Sequence, residues 1–180
     1  MQDRVSINKE GNDLVITIKA YINNKKQKLL MIWIILFSLC GLAIFSQFFE
    51  NYDNGIKVFF GVYIAFWLFF EFKVIYAYRW RKLGVEQIVV KDNELLLIKT
   101  IGKRGITQRF KIDEIKKIDF FKDTNGKFVK SMNESYWNIN KYHLAIELKD
   151  NSTPVPFAID IENKMAKKIL NEIRNALKNS

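Results

Sequence analysis

Hydrophobic residues follow three patterns along this chain, and each pattern predicts a different element. Two long apolar runs occupy residues 29–49 and 56–78. Before and after these runs, apolar and polar side chains alternate with a period of two, which is typical of half-buried β-strands. Over residues 161–178 the apolar positions recur every four residues. That spacing indicates an amphipathic helix with one face to bury.

The two apolar runs are long enough to cross a membrane. The first has no charged residue, and its length matches the roughly 20 residues that span about 30 Å of hydrocarbon. The second contains Lys57, Glu71 and Lys73 near its ends. Residues 50–55, ENYDNG, have turn character and predict an antiparallel helical hairpin. The alternative, two buried helices of a soluble protein, requires more covering surface than the polar remainder supplies.

The distribution of charge predicts the orientation of this hairpin. Basic residues flank it on the outside: Lys25, Lys26 and Lys28 before the first run, and Arg79, Arg81 and Lys82 after the second. The connecting loop carries Glu50 and Asp53 instead. Since short loops rich in Lys and Arg stay in the cytoplasm, both termini are predicted to be cytoplasmic. The excess positive charge would then face anionic lipid.

The alternating segments predict a β-rich cytoplasmic part. A strand hairpin turns at residues 9–13. Further strands are expected at 87–90, 94–101, 106–112, 113–121, 144–148 and 155–159, with a long loop or a loose hairpin over 122–141. Asp160 is a suitable cap for the final helix, which is expected to dock on the sheet rather than lie on lipid. The predicted divisions are an N-terminal β-hairpin (1–28), the first span (29–49), an external loop (50–55), the second span (56–78) and a cytoplasmic domain (79–180) whose C-terminal helix covers 161–178.

This order resembles a known arrangement. The chain has hairpin strands and two spans, followed by the segment EQIVVKDNELLLIKTIGKRGITQRFKIDEIKKIDFF and by more strands with a closing helix. This order is similar to that of small bacterial membrane proteins with a pleckstrin-homology-like (PH-like) domain, among them the YcxB-like group. The resemblance implies an α+β membrane protein, in which a two-helix transmembrane hairpin is inserted in a PH-like antiparallel β-sheet or barrel closed by a C-terminal α-helix. It also implies a binding or scaffold module located in a bacterial inner (plasma) membrane.

Composition excludes several classes of function. One Cys and one His among 180 residues rule out a disulfide framework and a Cys-based zinc site. The chain has no glycine-rich phosphate loop, nucleophile elbow or paired-carboxylate motif. We therefore expect no enzyme activity, no metal and no cofactor.

A basic cluster on the predicted hairpin at residues 94–112 is the main candidate binding site. Its members are Lys99, Lys103, Arg104, Arg109 and Lys111. The specific hypothesis is a site for phosphate or an anionic lipid headgroup, and the simpler one is a solvated cationic face beside anionic lipid. Nucleic acid is disfavoured as a partner, because no known binding module accompanies the charge.

Two features inside the spans also suggest contacts. Glu71 is the one acidic residue within a span, and pairing with Lys28 or Lys73 would neutralise it; a proton or ion relay is the alternative. Gly61 and Ala65 lie one helical turn apart and form a small-residue surface, for packing within the hairpin or between copies.

Three functions remain open from the sequence. The first is a membrane-anchored interaction or assembly module with a protein partner or as a homo-oligomer. The second is a domain that binds anionic lipid headgroups, and the third is a component of an oligomeric transport system.

Overall fold

The computed structural model describes residues 4–11, 13–121, 136–139, 141–150 and 152–179. The chain divides into two compact units. The first, here called the β-rich body, combines Met1–Tyr21 with Trp80–Ser180. The second, here called the helical unit, is Ile22–Arg79.

The helical unit contains the two apolar runs as helices. Helix α1 covers Asn24–Ser46 and continues into a short 3₁₀ turn, Gln47–Phe49, whereas α2 covers Asn54–Leu83 and ends inside the β-rich body. The side chain of Asn23 accepts a hydrogen bond from the Lys26 backbone N–H at 3.1 Å, and so caps the first turn of α1. Both helices are long and apolar enough to cross a membrane. Most of their large apolar side chains are exposed.

Eight strands of the β-rich body form two antiparallel sheets in the described residues. The first sheet contains β1 (Val5–Glu10), β2 (Asp13–Lys19), β3 (Gly84–Lys91), β4 (Glu94–Ile101) and β5 (Arg104–Lys111), paired in that order. The second contains β6 (Ile115–Phe120), β7 (Tyr142–Leu148) and β8 (Val155–Ile159). Strand β2 pairs with β3 from Leu14↔Val90 to Lys19↔Val85. The apolar hairpin is therefore inserted between two adjacent strands, as the sequence predicted.

Alternation along the strands builds one core. Ile16, Ile88 and Leu97 are buried on the inner face of the first sheet, and Leu144 and Phe157 on the second. Helix α3, Asn163–Asn179, joins this core through side chains at helical spacing, which are Ala166, Ile169, Leu170 and Ile173. Burial of this stripe confirms that the final helix packs on the sheets.

Several local predictions need correction. The two sheets do not close into a barrel in the described residues. A 3₁₀ turn, Ile112–Glu114, precedes β6 and shortens the strand predicted at 113–121. Alternation puts Ile106 on the same face of β5 as the buried Phe110, yet Ile106 is 74% exposed, because the core does not extend to that end of the strand. The final helix begins at Asn163, so its N-cap position is Glu162, and Asp160 lies two residues too early to cap it. The loop expected at 122–141 falls largely outside the described residues.

Candidate functional site

The predicted basic cluster lies on the hairpin of β4 and β5. Four of its members, Lys103, Arg104, Arg109 and Lys111, are exposed, and Lys103 occupies the turn with Gly102. The fifth, Lys99, is partly buried. Gly102 adopts a φ of +62°, which favours glycine, and its N–H donates to the carbonyl of Leu83 at 3.3 Å. The turn is thereby fixed beside the last residue of α2.

The strand register divides these basic residues between opposite faces of the sheet. Leu95 and Leu97 face the core, so Lys99, two residues further, lies on the same face. Arg104 pairs with Ile101 and shares that face, whereas Arg109 pairs with Leu96 on the outer face. Lys111, opposite Glu94, also lies on the outer face. The five residues therefore do not converge on one ligand position, because successive side chains of a strand point to opposite faces of the sheet.

Lys99 belongs to a buried polar cluster. Its ammonium lies 3.8 Å from Oε1 of Glu86, donates to the Pro156 carbonyl at 3.3 Å and sits 4.6 Å from the centre of the Tyr142 ring. Glu86 is only 1% exposed, and its Oε2 accepts the Ile159 backbone N–H at 2.9 Å. These contacts occupy Lys99 within the fold and leave the exposed members of the hairpin as candidates for an external ligand.

Burial shifts both ionisable groups of this cluster toward neutrality. Desolvation raises the pKa of Glu86, although the charge of Lys99 and the hydrogen bond from Ile159 oppose that rise. Desolvation also lowers the pKa of Lys99, against the attraction of Glu86. The pair joins the adjacent strands β3 and β4 of the first sheet, and it adds little net stability because desolvation of the two charges opposes their attraction.

The same cluster explains why the two sheets remain separate at β8. Strand β8 is an edge strand of its sheet. Glu86 from β3 and Lys99 from β4 bind backbone groups of β8 in place of a neighbouring strand. Ala158 and Asp160, on either side of Ile159, have φ values of +61° and +53°. Side chains therefore satisfy this edge where the backbone departs from regular strand geometry.

A second polar cluster surrounds Arg81, which is only 4% exposed. Its guanidinium contacts Asp160 Oδ2 at 3.1 Å and donates to the carbonyls of Tyr21, Tyr136 and Asn138 at 3.2, 2.8 and 3.3 Å. It also stacks 4.3 Å from the Tyr136 ring centre. One side chain thus joins the end of α2 to three other segments of the β-rich body.

A cavity of about 230 Å³ adjoins this cluster, lined by Arg4, Val5, Tyr21, Asp160, Ile161, Glu162 and Met165. Arg4 donates to the carbonyls of Lys19 and Asp160, and its Nη2 is buried without a hydrogen-bond partner. Burial lowers the pKa of Arg4, while the charge of Asp160 opposes this shift. The cavity carries both signs of charge, so it does not select an anion.

In the helical unit, Glu71 is bound by Ser38. The hydroxyl of Ser38 donates to Oε1 of Glu71 at 2.6 Å, and Oε2 is buried without a hydrogen-bond partner. The sequence prediction named Lys28 and Lys73 as partners. Lys28 is exposed, and the ammonium of Lys73 lies 4.6 Å from the centre of the Phe69 ring. Ser38, on the other helix of this unit, was not among the partners that the sequence analysis named for Glu71.

The close contact between the helices lies away from Gly61 and Ala65. A Cβ added at Gly41 would overlap the ring of Trp67, whose Nε1 donates to the Phe37 carbonyl at 3.0 Å. A Cβ added at Gly61 would meet Phe48 at an ordinary 3.9 Å, and Ala65 is exposed. Gly41 therefore permits a close approach of α1 to α2. The sequence analysis missed this contact because it considered only Gly61 and Ala65.

A groove of about 590 Å³ separates the edge strand β6 from α3. Its floor is apolar, and its rim carries lysine, arginine and asparagine side chains. The sequence analysis missed this groove, because the rim combines residues from two elements about 60 positions apart, and neither segment is unusual alone.

Comparison with known proteins adds no relative. No family model matches the chain, and no curated protein matches it.

Proposed function

We propose that this chain is a two-span membrane protein that displays the β-rich body as an interaction or assembly module in the bacterial cytoplasm. The observation that carries this proposal is the pairing of β2 with β3 on either side of the apolar hairpin. Because Lys19 pairs with Val85, the chain leaves and re-enters the sheet at the same end. Two crossings of a bilayer would therefore return it to the side from which it left.

The apolar helices support the membrane part of this proposal. Large side chains such as Leu36, Phe66 and Phe72 are 58%, 64% and 67% exposed. Contiguous apolar surface of this kind is unfavourable in water and favourable in hydrocarbon. The basic flanks of the hairpin favour cytoplasmic termini.

The order of elements supports a PH-like domain for the β-rich body. Two antiparallel sheets are followed by one C-terminal helix that covers the core. In this proposal the chain is a relative of the bacterial PH-like membrane proteins that its sequence resembles. A PH-like body held at a membrane is suited to recruiting a partner, since anchoring raises the effective concentration of both.

Labelling of single cysteines tests the topology. In a Cys40→Ser background, Asp53→Cys should react with a membrane-impermeant maleimide from outside the cell. Ser152→Cys, exposed on the β-rich body, should react only after permeabilisation. Labelling of both positions from the same side contradicts the proposal.

Crosslinking in native membranes tests the interaction module. Amine-reactive crosslinking of the full chain, followed by mass spectrometry, should give reproducible links from lysines of the β-rich body to another protein or to a second copy. The matched control is the same membrane preparation carrying a chain with an unrelated soluble domain in place of the body. If only random links of equal frequency appear in both, the module proposal is wrong.

Binding of anionic lipid headgroups is the second candidate function. Lys103 and Arg104 are exposed at the turn beside Leu83. Only four residues lie between Leu83 and Tyr78, the end of the second apolar run. We expect cations so close along the chain to the second span to attract anionic lipid, at about 1 kcal/mol each.

Lipid retention by the full chain distinguishes this candidate. Native mass spectrometry of the detergent-solubilised protein should show retained phosphatidylglycerol, which Lys103→Glu with Arg104→Glu removes. The control pair, Lys164→Glu with Lys168→Glu, makes the same charge change at exposed positions of α3. Equal retention by all three proteins rejects a headgroup site at the turn.

A further inference from the structure

The groove between β6 and α3 combines two properties that suit a specific ligand. Its floor consists of apolar side chains, Ile112, Ile115, Ile118 and Leu177. Its rim carries four cations, Lys116, Lys117, Arg174 and Lys178, together with the amides of Asn171 and Asn175. No described residue that lines it is acidic. Its volume, about 590 Å³, falls within the range of ligand-binding clefts.

Two of these cations already form ion pairs with carboxylates of the same chain. Lys117 contacts Glu147 at 3.2 Å, and Arg174 lies 3.8 Å from Asp119. Both ion pairs are about half exposed, so their side chains can exchange partners at small cost. The rim is therefore complementary to carboxylates supplied from outside.

The backbone of β6 is blocked against the addition of another strand. Arg174 Nη2 donates to the carbonyl of Ile118 at 2.8 Å, and the Phe120 N–H donates to Oδ1 of Asp119 at 2.8 Å. Side chains thus occupy a donor and an acceptor of the strand. A ligand in the groove must be held by its side chains and not by a β-ladder.

We propose that this groove binds an acidic segment of a partner protein, with aliphatic side chains on the floor and Asp or Glu side chains against the cationic rim. The inference rests on the proposed interaction module and names the chemistry of its partner. Charge complementarity supplies specificity and a faster association rate, while the apolar floor supplies the contact area.

The experiment uses the full chain in phosphatidylcholine nanodiscs, which carry no net lipid charge. The probe is a fluorescein-labelled peptide that alternates Glu and Leu, and the comparison peptide replaces every Glu with Gln. Fluorescence anisotropy should show that the Glu peptide binds at least about tenfold more tightly, with a preference that weakens as salt shortens the Debye length to a few ångströms.

Groove variants test the location of binding. Asn175→Asp with Lys178→Glu adds negative charge to the rim without touching the Arg174 contact with Ile118. The matched control, Asn163→Asp with Lys164→Glu, makes the same two changes on exposed residues at the other end of α3. We expect about tenfold weaker binding for the groove variant and unchanged binding for the control. Equal affinity of the two peptides, or equal loss in both variants, overturns the proposal.

The outcomes separate this inference from the module proposal. If native crosslinks to a partner persist while the Glu peptide shows no preference, the groove assignment is wrong and the module proposal stands. If native crosslinking gives no links to a partner or a second copy, the module proposal is wrong, and the groove proposal that rests on it is wrong as well. If the wild-type chain does not bind the Glu peptide, and the groove variant loses the phosphatidylglycerol that the wild type retains in native mass spectrometry, the groove takes lipid and the acidic-segment proposal is wrong.

Discussion

Glu86 and Ile159 join the two sheets of the β-rich body: the Glu86 carboxylate on β3 accepts the Ile159 N–H on β8 at 2.9 Å. The two residues lie on different sheets. The carboxylate is almost fully buried, and Lys99 is its cationic neighbour. A single acidic side chain therefore performs a task usually left to the backbone, which is to satisfy a strand edge inside a protein.

The first prediction concerns the pH dependence of Glu86. Because burial raises the pKa of Glu86 above its ordinary value of 4.5, the folded state holds this proton more tightly than the unfolded state. The associated stability is fully present below about pH 4.5 and is lost as pH rises through the folded pKa. Glu86→Gln keeps an oxygen for Ile159 and removes the charge. We therefore expect the melting temperature of the variant, relative to wild type, to increase between about pH 5 and pH 8.

Tryptophan fluorescence during heating in detergent micelles measures this difference. The control is Glu10→Gln on the exposed side of β1, which makes the same substitution without burial. A constant or falling difference for Glu86→Gln would show that the carboxylate carries no burial penalty.

The second prediction concerns Lys99. Replacing it with Met leaves the buried carboxylate of Glu86 without its cation, and such unpaired charges typically cost about 3–5 kcal/mol. Lys99→Met should therefore lower the melting temperature strongly at pH 8. The double variant with Glu86→Gln should recover most of the loss, as a double-mutant cycle will show. Additive losses would mean that the two side chains act independently.

The third prediction concerns Arg81, which joins Tyr21, Tyr136, Asn138 and Asp160. Arg81→Ala removes all of these contacts of a nearly buried guanidinium at once, including the ion pair with Asp160, so we expect a loss of about 3 kcal/mol or more. Arg81→Lys should recover only part of this, since an ammonium cannot reproduce the planar fork of donors. Thermal unfolding measures both, and Arg79→Ala, an exposed neighbour, is the control. Equal stability of Arg81→Lys and wild type would contradict the role assigned to the fork.

The fourth prediction concerns the helical unit. A side chain at Gly41 would overlap the Trp67 ring, so Gly41→Ala should force the helices to repack at about 1–3 kcal/mol. Gly61→Ala places its Cβ at an ordinary distance from Phe48 and should be neutral. The melting temperatures in micelles and the emission maximum of Trp67, in a background without the other tryptophans, report the change. A larger effect at position 61 than at position 41 would be the opposite of this expectation.

The fifth prediction concerns Ser38 and Glu71. Ser38→Ala removes the donor to Oε1 and leaves a buried carboxyl group with no partner from that helix, which should cost about 1–3 kcal/mol. Glu71→Gln keeps an acceptor oxygen for Ser38 and should be milder. In proteoliposomes, a transport role requires that Glu71→Gln abolish proton flux above the lipid background. Flux equal to that background in wild type and variant alike removes the transport hypothesis.

The basic hairpin shows what could not be predicted from the sequence, which is the face of the sheet on which each cation lies. Five cations within 13 positions suggested one site, but strand register sends Lys99 and Arg109 to opposite faces. Alternation alone predicted the strands of this hairpin correctly. It did not decide how far along a face the core extends: Phe110 is buried, whereas Ile106 on the same face of β5 is exposed.

The sequence by itself determined the elements of this protein. Periods of two and of nearly four, two charge-free or nearly charge-free runs, and turn residues between them located the strands, the long helices and the final helix, because these patterns depend on neighbours close along the chain. Only the tertiary structure decided the partners of Glu71, Glu86 and Arg81 and the groove between β6 and α3. Those contacts join residues 33 to 79 positions apart, and their geometry depends on register, helix rotation and packing that no local pattern encodes.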